Sequence, residues 1–238
     1  MTILLGIATA TSQVGVALAG PEGPLASLQV RQGRRHAELL APAIDTVAGL
    51  AGIGTQQIDR IAVDIGPGLF TGLRVGVATA KALADALDIP IVGCSSLDIL
   101  AHPHRREGRT VAAVVDAKRG EVFWALYRPS RHGMEPITAA TVSAPDELAE
   151  ALAGATAAAD PPVLAVGDGA RRYAEVLTSL PHLELAGPAD DHPSAAVLVE
   201  LAADRPSVPL AEITPRYLRG ADVRIGWAER GDVVARHG

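Results

Sequence analysis

At 238 residues the chain holds one large domain or two small ones. Hydrophobic residues make up 48% and aromatics only 3%, so a sizeable core has to be filled by Ala, Val and Leu. The formal net charge of −6 argues against a chain that grips nucleic acid unaided. Neither half is basic: residues 1–105 carry 7 Lys/Arg against 8 Asp/Glu and the rest carry 14 against 19, although arginines can still cluster in space. Cys94 is the sole cysteine, which removes internal disulfides and cysteine metal clusters. The opening Met-Thr-Ile-Leu-Leu-Gly lacks a basic n-region and is too short for a signal peptide, and no apolar run approaches the roughly 18 residues of a membrane span. The expectation is a cytoplasmic, soluble protein with no membrane partner.

In chain order, Ile3–Ala8 is a short apolar strand, Thr9–Gln13 a polar turn and Val14–Ala19 a second strand. A Gly/Pro turn at 20–24 precedes an extended run from Leu25 to Val30. After Arg34-Arg35-His36, Leu39, Leu40, Ala43, Ile44, Val47 and Leu50 recur at helical spacing, with Pro42 either near the helix start or kinking it. Ile61–Ile65 is a buried strand that Gly66-Pro67-Gly68 ends sharply, and a long helix follows from Leu69 to Leu87. A strand at Ile89–Val92 and a helix to about Ala101, capped by Ser95 or Ser96, complete this half. His102–Arg109 is a polar connector.

The pattern then starts again. Thr110–Asp116 matches Thr2–Ala8, and Glu121–Leu126 matches Gln13–Leu18 at the same offset, which lays Ala8 over Asp116. Val163–Gly169 repeats the strand and Gly-x-Gly turn of Ala62–Gly68 and runs into a helix from Ala170 to Leu180. Helices are expected at Asp146–Leu152 and Ser194–Ala203, with 153–162 a loose Ala-rich loop and a polar tail opening at Pro215. A duplicated β-β-β-α-β-α unit accounts for the order. It divides the chain into lobes 1–105 and 106–238, with the tail from about 215 free to return to the first lobe.

The Leu69–Leu87 helix has an unusual surface. Gly72, Gly76, Ala80 and Ala84 align at four-residue spacing as a shallow groove that admits a closely approaching backbone. Arg74, Lys81, Asp85 and Asp88 form a narrow polar face, which leaves more apolar surface than packing on one sheet requires.

The run Gly66-Pro-Gly-Leu-Phe-Thr-Gly-Leu-Arg-Val-Gly-Val-Ala-Thr-Ala-Lys81 carries a family resemblance. It is supported by His36-Ala-Glu-Leu-Leu40, Asp116-Ala-Lys-Arg-Gly-Glu-Val122, Gly167-Asp-Gly-Ala170, Pro193-Ser-Ala195 and Tyr217-Leu-Arg219. In these stretches the chain resembles the TsaB family, within the actin/hexokinase/Hsp70-like (ASKHA) fold. The resemblance implies an α/β chain of duplicated actin-like (RNase H-like) units, two lobes each with a mixed sheet flanked by helices. It also implies a non-catalytic subunit that binds TsaD and works with the ATPase TsaE. Together they would transfer a threonylcarbamoyl group to N6 of adenosine 37 in tRNAs reading codons that begin with A. ATP or ADP and a metal would belong to the partner subunits, this chain would require no cofactor or metal, and alone it would form a homodimer. Contact with tRNA would come through the complex. On the two amphipathic helices the partner face would comprise Leu39, Leu40, Ala43, Val47, Gly72, Val75, Gly76, Thr79, Ala80 and Leu83.

Two positions depart from the pattern. Where the family opens Ile-Asp-Thr, this chain has Ile7-Ala8-Thr9, and Ala8 can neither accept a hydrogen bond nor ligate a cation. A vestigial nucleotide site would then consist of Thr9, Thr11, Ser12, Asp116, Gly167 and Gly169. His36 stands where a His-x-x-x-His metal pair begins in the catalytic relative, but the second position is Leu40.

The remaining candidates each carry a plainer alternative. Gly66-Pro67-Gly68 aims backbone N–H groups at an anion or simply makes a tight turn; it fits neither phosphate fingerprint, because Gly72 arrives one residue late. His102 and His104 bracket a proline in a charged connector, as metal ligands or surface loop residues. Cys94 follows an apolar strand, as a buried inert thiol would. Ser95 and Ser96 lack a Gly-x-Ser-x-Gly context. Asp116 and Glu121 form a carboxylate pair or merely flank a hairpin turn, and Arg216, Arg219 and Arg224 touch tRNA or lie in a solvated tail. The readings opposed to a scaffold are an ASKHA-type ATPase or phosphotransferase acting alone, which Ala8 disfavours, and a peptidase, which lacks a nucleophile context.

Overall fold

The computed structural model describes residues 2–218 apart from 32, 34 and 158. The first lobe runs β1 (Leu4–Ala8), β2 (Gln13–Gly20), β3 (Gly23–Arg31), α1 (His36–Ala51), β4 (Arg60–Asp64), α2 (Phe70–Leu87) and β5 (Ile91–Cys94). Its sheet has the order β3-β2-β1-β4-β5, with the first three strands antiparallel and β4 and β5 parallel to β1. Helix α3 (Ser96–Ala101) follows, its first turn capped by Ser95 Oγ accepting the Leu97 N–H at 3.3 Å.

The second lobe repeats this plan with β6 (Val111–Lys118), β7 (Glu121–Ser130), β8 (Gly133–Pro136), β9 (Thr141–Ser143), α4 (Pro145–Thr156), β10 (Val163–Val166), α5 (Asp168–Arg172), α6 (Ala174–Leu177) and β11 (Leu183–Leu185). The order β8-β7-β6-β10-β11 is the counterpart of β3-β2-β1-β4-β5, with β9 added beside β7.

Alternation along the strands builds two cores in the first lobe. Leu5, Ile7, Val16, Leu18, Ile61 and Val63 point to α1 and α2. Leu4, Ala8, Ala17, Ala62 and Val92 point to the other face, where α7 (Ala195–Ala203) lies. That second face is built small so that α7 sits close: a Cβ on Gly6 would stand 2.6 Å from Val199 Cγ1. Leu198, Val199 and Ala202 are buried there.

Helix α7 corrects the boundary drawn at 106–238. The sheets do separate between Cys94 and Val111, but residues from Ala195 onward pack on the first sheet. The chain stays there: Val208 bridges Ile91, Ile213 enters the first core, and the Arg216 N–H donates to the Ile65 carbonyl at 2.7 Å. The return to the first lobe thus begins about twenty residues before Pro215.

Smaller differences have local causes. Pro42 lies inside α1. The strand expected at 89–92 is Ile91–Cys94, because the Ile89 N–H donates to the Ala84 carbonyl and closes α2 through Asp88 in the left-handed conformation. Part of the expected 153–162 loop is helix, since Leu148, Leu152 and Thr156 form one buried stripe. The expected 170–180 helix is broken at Tyr173, which leaves helical geometry at φ −109° and ψ 32°.

Candidate functional site

Two places in the fold are positioned for function: the turns at the ends of the central strands, and the outer face of α1 and α2. The β1–β2 turn is filled by the chain itself. Thr9 and Thr11 are buried and Ser12 is half-buried. Thr9 Oγ1 donates to the Gly72 carbonyl at 2.8 Å, and the Leu69 N–H donates to the Ala10 carbonyl at 2.6 Å. His36 Nε2 lies 2.8 Å from the Thr11 carbonyl; a carbonyl only accepts, so Nε2 carries its hydrogen. His36 therefore pins the turn to α1.

The glycines of α2 face this turn. A Cβ on Gly72 would stand 2.1 Å from the Thr9 carbonyl oxygen, and one on Gly76 would stand 2.1 Å from Thr9 Oγ1. Gly68 would put a Cβ 2.2 Å from the Ala10 carbonyl oxygen. The groove thus does admit a closely approaching backbone, but that backbone is the chain's own. This corrects the expected partner face: Leu40, Ala43, Val47, Gly72, Gly76 and Ala80 are all buried within the first lobe. Leu39, Val75, Thr79 and Leu83 are half-exposed. What the two adjoining helices present outward is instead Ala37, Ala41, Asp45 and Gly49 on α1, and Thr71, Arg74, Ala78, Ala82 and Asp85 on α2. These residues follow helical spacing and are mostly small, which lets another helix lie close.

Beside the start of α2, Arg74 stacks over the Phe70 ring at 3.9 Å and its Nε donates to Tyr217 Oη at 3.2 Å. The two rings lie 5.3 Å apart, both half-exposed. The returning segment thereby extends this face. Arg216 is exposed, whereas Arg219 and Arg224 lie outside the described residues.

In the second lobe Asp116 is buried and salt-bridged, its Oδ2 2.6 Å from Lys118 Nζ and 3.5 Å from an Arg172 guanidinium nitrogen. Its carboxylate neighbour is Asp168 rather than Glu121, which pairs in register with Lys118. Asp168 Oδ1 accepts the Asp116 N–H at 2.9 Å. Burial pushes the Asp168 carboxyl up to about 6; that hydrogen bond opposes the rise and the charge of Asp116 adds to it. Gly167, at φ 105°, and Gly169 bring α5 onto the end of β6, where a Cβ on Gly169 would stand 2.8 Å from the Val115 carbonyl carbon.

Asp64 is a second site that sequence reasoning missed. It ends β4 fully buried, its Oδ1 accepting from Ser96 Oγ at 2.6 Å and from the Gly66 N–H at 2.9 Å. Its Oδ2 meets no donor among the described residues. Burial pushes the carboxyl up to about 7. The signal is a charged residue closing the apolar run Ile61–Val63 just before Gly-Pro-Gly. Cys94 is buried too, and burial pushes its thiol up to about 11. His104 is buried with Nδ1 2.7 Å from Glu107 Oε1, while His102 is half-buried near Glu200. Among the described residues no three His, Cys, Asp or Glu side chains converge as a metal ligand set, and no helix is long and apolar enough to cross a membrane.

A family model described as TsaD, tRNA N6-adenosine threonylcarbamoyltransferase, matches residues 30–224. The TsaB protein of Bacillus subtilis, named for tRNA threonylcarbamoyladenosine biosynthesis, is 30% identical over 234 residues, which is 96% of this chain and 99% of that protein. The chain belongs to the TsaB family. Escherichia coli TsaB is 34% identical over 133 residues, covering 55% of this chain and 57% of that one. The solved structure of YeaZ from Pseudomonas aeruginosa superposes with a TM-score of 0.78 at 30% identity, covering 92% of this chain and all of that one. The fold is the duplicated actin-like (ASKHA) arrangement, two mixed sheets flanked by helices. In this TsaB-family chain the β1–β2 turn is packed against the starts of its own helices, and Ala8 offers no polar group there.

Proposed function

We propose that this chain is a non-catalytic scaffold that binds and stabilises TsaD for N6-threonylcarbamoylation of adenosine 37 in tRNAs reading codons that begin with A. TsaE would supply the ATPase of the complex, and the site of action would be the cytoplasm. The carrying observation is the small-residue outer face of α1 and α2, with Ala37, Ala41, Ala78 and Ala82 exposed along two adjoining helices. Exposed small residues at helical spacing suit helix-on-helix docking with little side-chain ordering. Without TsaD the same face would meet a second copy, giving a homodimer.

On this reading nucleotide and metal belong to the partner subunits. Ala8 supplies no carboxylate, the Thr9 hydroxyl is already donated to Gly72, and Asp116 is engaged by Lys118 and Arg172. The test is co-purification with TsaD alongside titration of the isolated chain with ATP and ADP. Capture of TsaD with no ATP turnover by the chain alone is expected. ATP hydrolysis by the isolated chain, abolished by Asp116→Ala, would overturn it.

A further inference from the structure

On the side of the first lobe away from α1 and α2, an open groove of about 720 Å³ runs between the 102–106 connector, the β7–β8 hairpin and the end of α7. It lies on the α7 face of the first sheet, opposite the α1/α2 face, because neighbouring strand residues such as Leu4 and Leu5 point to the two helix layers in turn. Its walls carry Arg105, Arg106, Arg131 and Arg205 against Glu200 and Asp204, an excess of two positive charges on a chain of net charge −6.

The arginines divide into two kinds. Arg105 is held by Glu200 and by the His102 carbonyl at 3.1 Å, and Arg205 is held by Asp98 Oδ2 at 2.9 Å. These pairs fix the walls. Arg106, from the connector, and Arg131, from the hairpin tip, are exposed and make no ion pair among the described residues. Two unpaired guanidiniums, one from the connector and one from the second lobe, therefore face one groove. Guanidinium forks suit phosphate oxygens. Among the described residues no Phe, Tyr or Trp lines the groove, whose only rings are the imidazoles of His102 and His132, so it lacks the broad stacking surfaces that bind unstacked bases. What remains is a surface for the phosphate backbone of a helical nucleic acid.

We propose that this groove holds the phosphodiester backbone of double-helical RNA, so that the chain contacts the tRNA stem directly while α1 and α2 hold TsaD. The proposal rests on the scaffold reading for the identity of the RNA, but the groove lies on the other face and is tested apart from it. Few contacts on an acidic chain give weak, strongly salt-dependent binding.

The experiment measures fluorescence anisotropy of a short labelled RNA duplex against the full chain over a series of salt concentrations. The proteins are the native chain, the double variant Arg106→Ala/Arg131→Ala, and Arg119→Ala, an exposed arginine outside the groove. The double variant should bind about tenfold more weakly, with the log–log salt slope shallower by about 2, and Arg119→Ala should bind like the native chain. Absence of duplex binding by the native chain at low salt, or equal binding by the double variant, overturns the proposal. So does equally tight, equally arginine-dependent binding of anionic lipid vesicles or polyglutamate, which would make the groove a general anion surface. Co-purification of the double variant with TsaD separates the two readings: retained capture with lost RNA binding supports both, and failed capture by the native chain with intact RNA binding removes the scaffold reading alone.

Discussion

The Thr9 carbonyl oxygen occupies the space where a Cβ on Gly72 would stand, 2.1 Å away, while the Thr9 hydroxyl donates to the Gly72 carbonyl at 2.8 Å. The first turn of the sheet and the first turn of α2 are thus interlocked by backbone on one side and by a side chain on the other. That difference is testable. Gly72→Ala and Gly76→Ala should each lower stability in urea unfolding by about 2 kcal/mol or more, as overpacking does. Thr9→Ala should rescue much of the Gly76→Ala loss, since the obstructing atom there is Thr9 Oγ1. It should rescue none of the Gly72→Ala loss, because that obstruction is main chain. Additive effects in both pairs would mean the helix simply shifts away.

Partner capture should respond to the outer positions rather than the groove. Ala78→Glu and Ala82→Arg are exposed changes and should leave stability within about 0.5 kcal/mol while abolishing co-purification with TsaD and the homodimer. Gly76→Leu should instead damage the fold. Gel filtration and thermal melting of the same three variants distinguish the effects, and unimpaired TsaD capture by both charged variants would move the docking face elsewhere.

Asp64 gives the first lobe a pH signature. Its carboxyl is raised from 3.8 to about 7 by burial, so the folded chain keeps a proton that the unfolded chain gives up. That contribution is fully present below pH 3.8 and is lost as pH rises through 7. Relative to Asp64→Asn, which keeps an oxygen for Ser96 and Gly66, the native chain should lose about 4 kcal/mol between these limits. Urea titrations at three pH values measure it. A native–variant difference that does not change with pH would place the charge on a solvated carboxylate.

Placing a carboxylate at position 8 should not create nucleotide chemistry. Ala8 is 2% exposed at the end of β1, close to Ala195-bearing α7. Ala8→Asp therefore buries a charge and should cost several kcal/mol, with no gain in ATP affinity by calorimetry. Tight ATP binding by that variant would show that the site was lacking only one group.

Much of the architecture was legible in the residues. Thr110–Asp116 repeats Thr2–Ala8 at the offset that also aligns the second strands, and the sheets follow that repeat strand for strand. Strand alternation and the Gly-x-Gly turns are local signals, and local signals survive folding. Gly72 and Gly76 were legible as a close approach but not as to what approaches. A helix apolar over most of its circumference carries no mark of which neighbour covers which arc. Helix α7 was found as a helix, but its docking on a sheet formed some hundred residues earlier depends on long-range packing against Gly6 and Gly15. Asp168 and Asp64 draw their character from burial, which sequence spacing does not contain.

The return of α7 also sets an order of events on the ribosome. Until Leu198 and Val199 have emerged, the face made by Leu4, Ala17, Ala62 and Val92 has nothing to close it. The first lobe to be synthesised is thus the last to be completed, and the second lobe, whose strands run from Val111 to Leu185, can assemble while the first still waits. A fragment ending at residue 105 would bare an apolar sheet face and should aggregate, whereas fragments of the second lobe would lack chiefly the packing of α3 on their core. The interlocked turn at Thr9 is in this sense held by a clasp that arrives late.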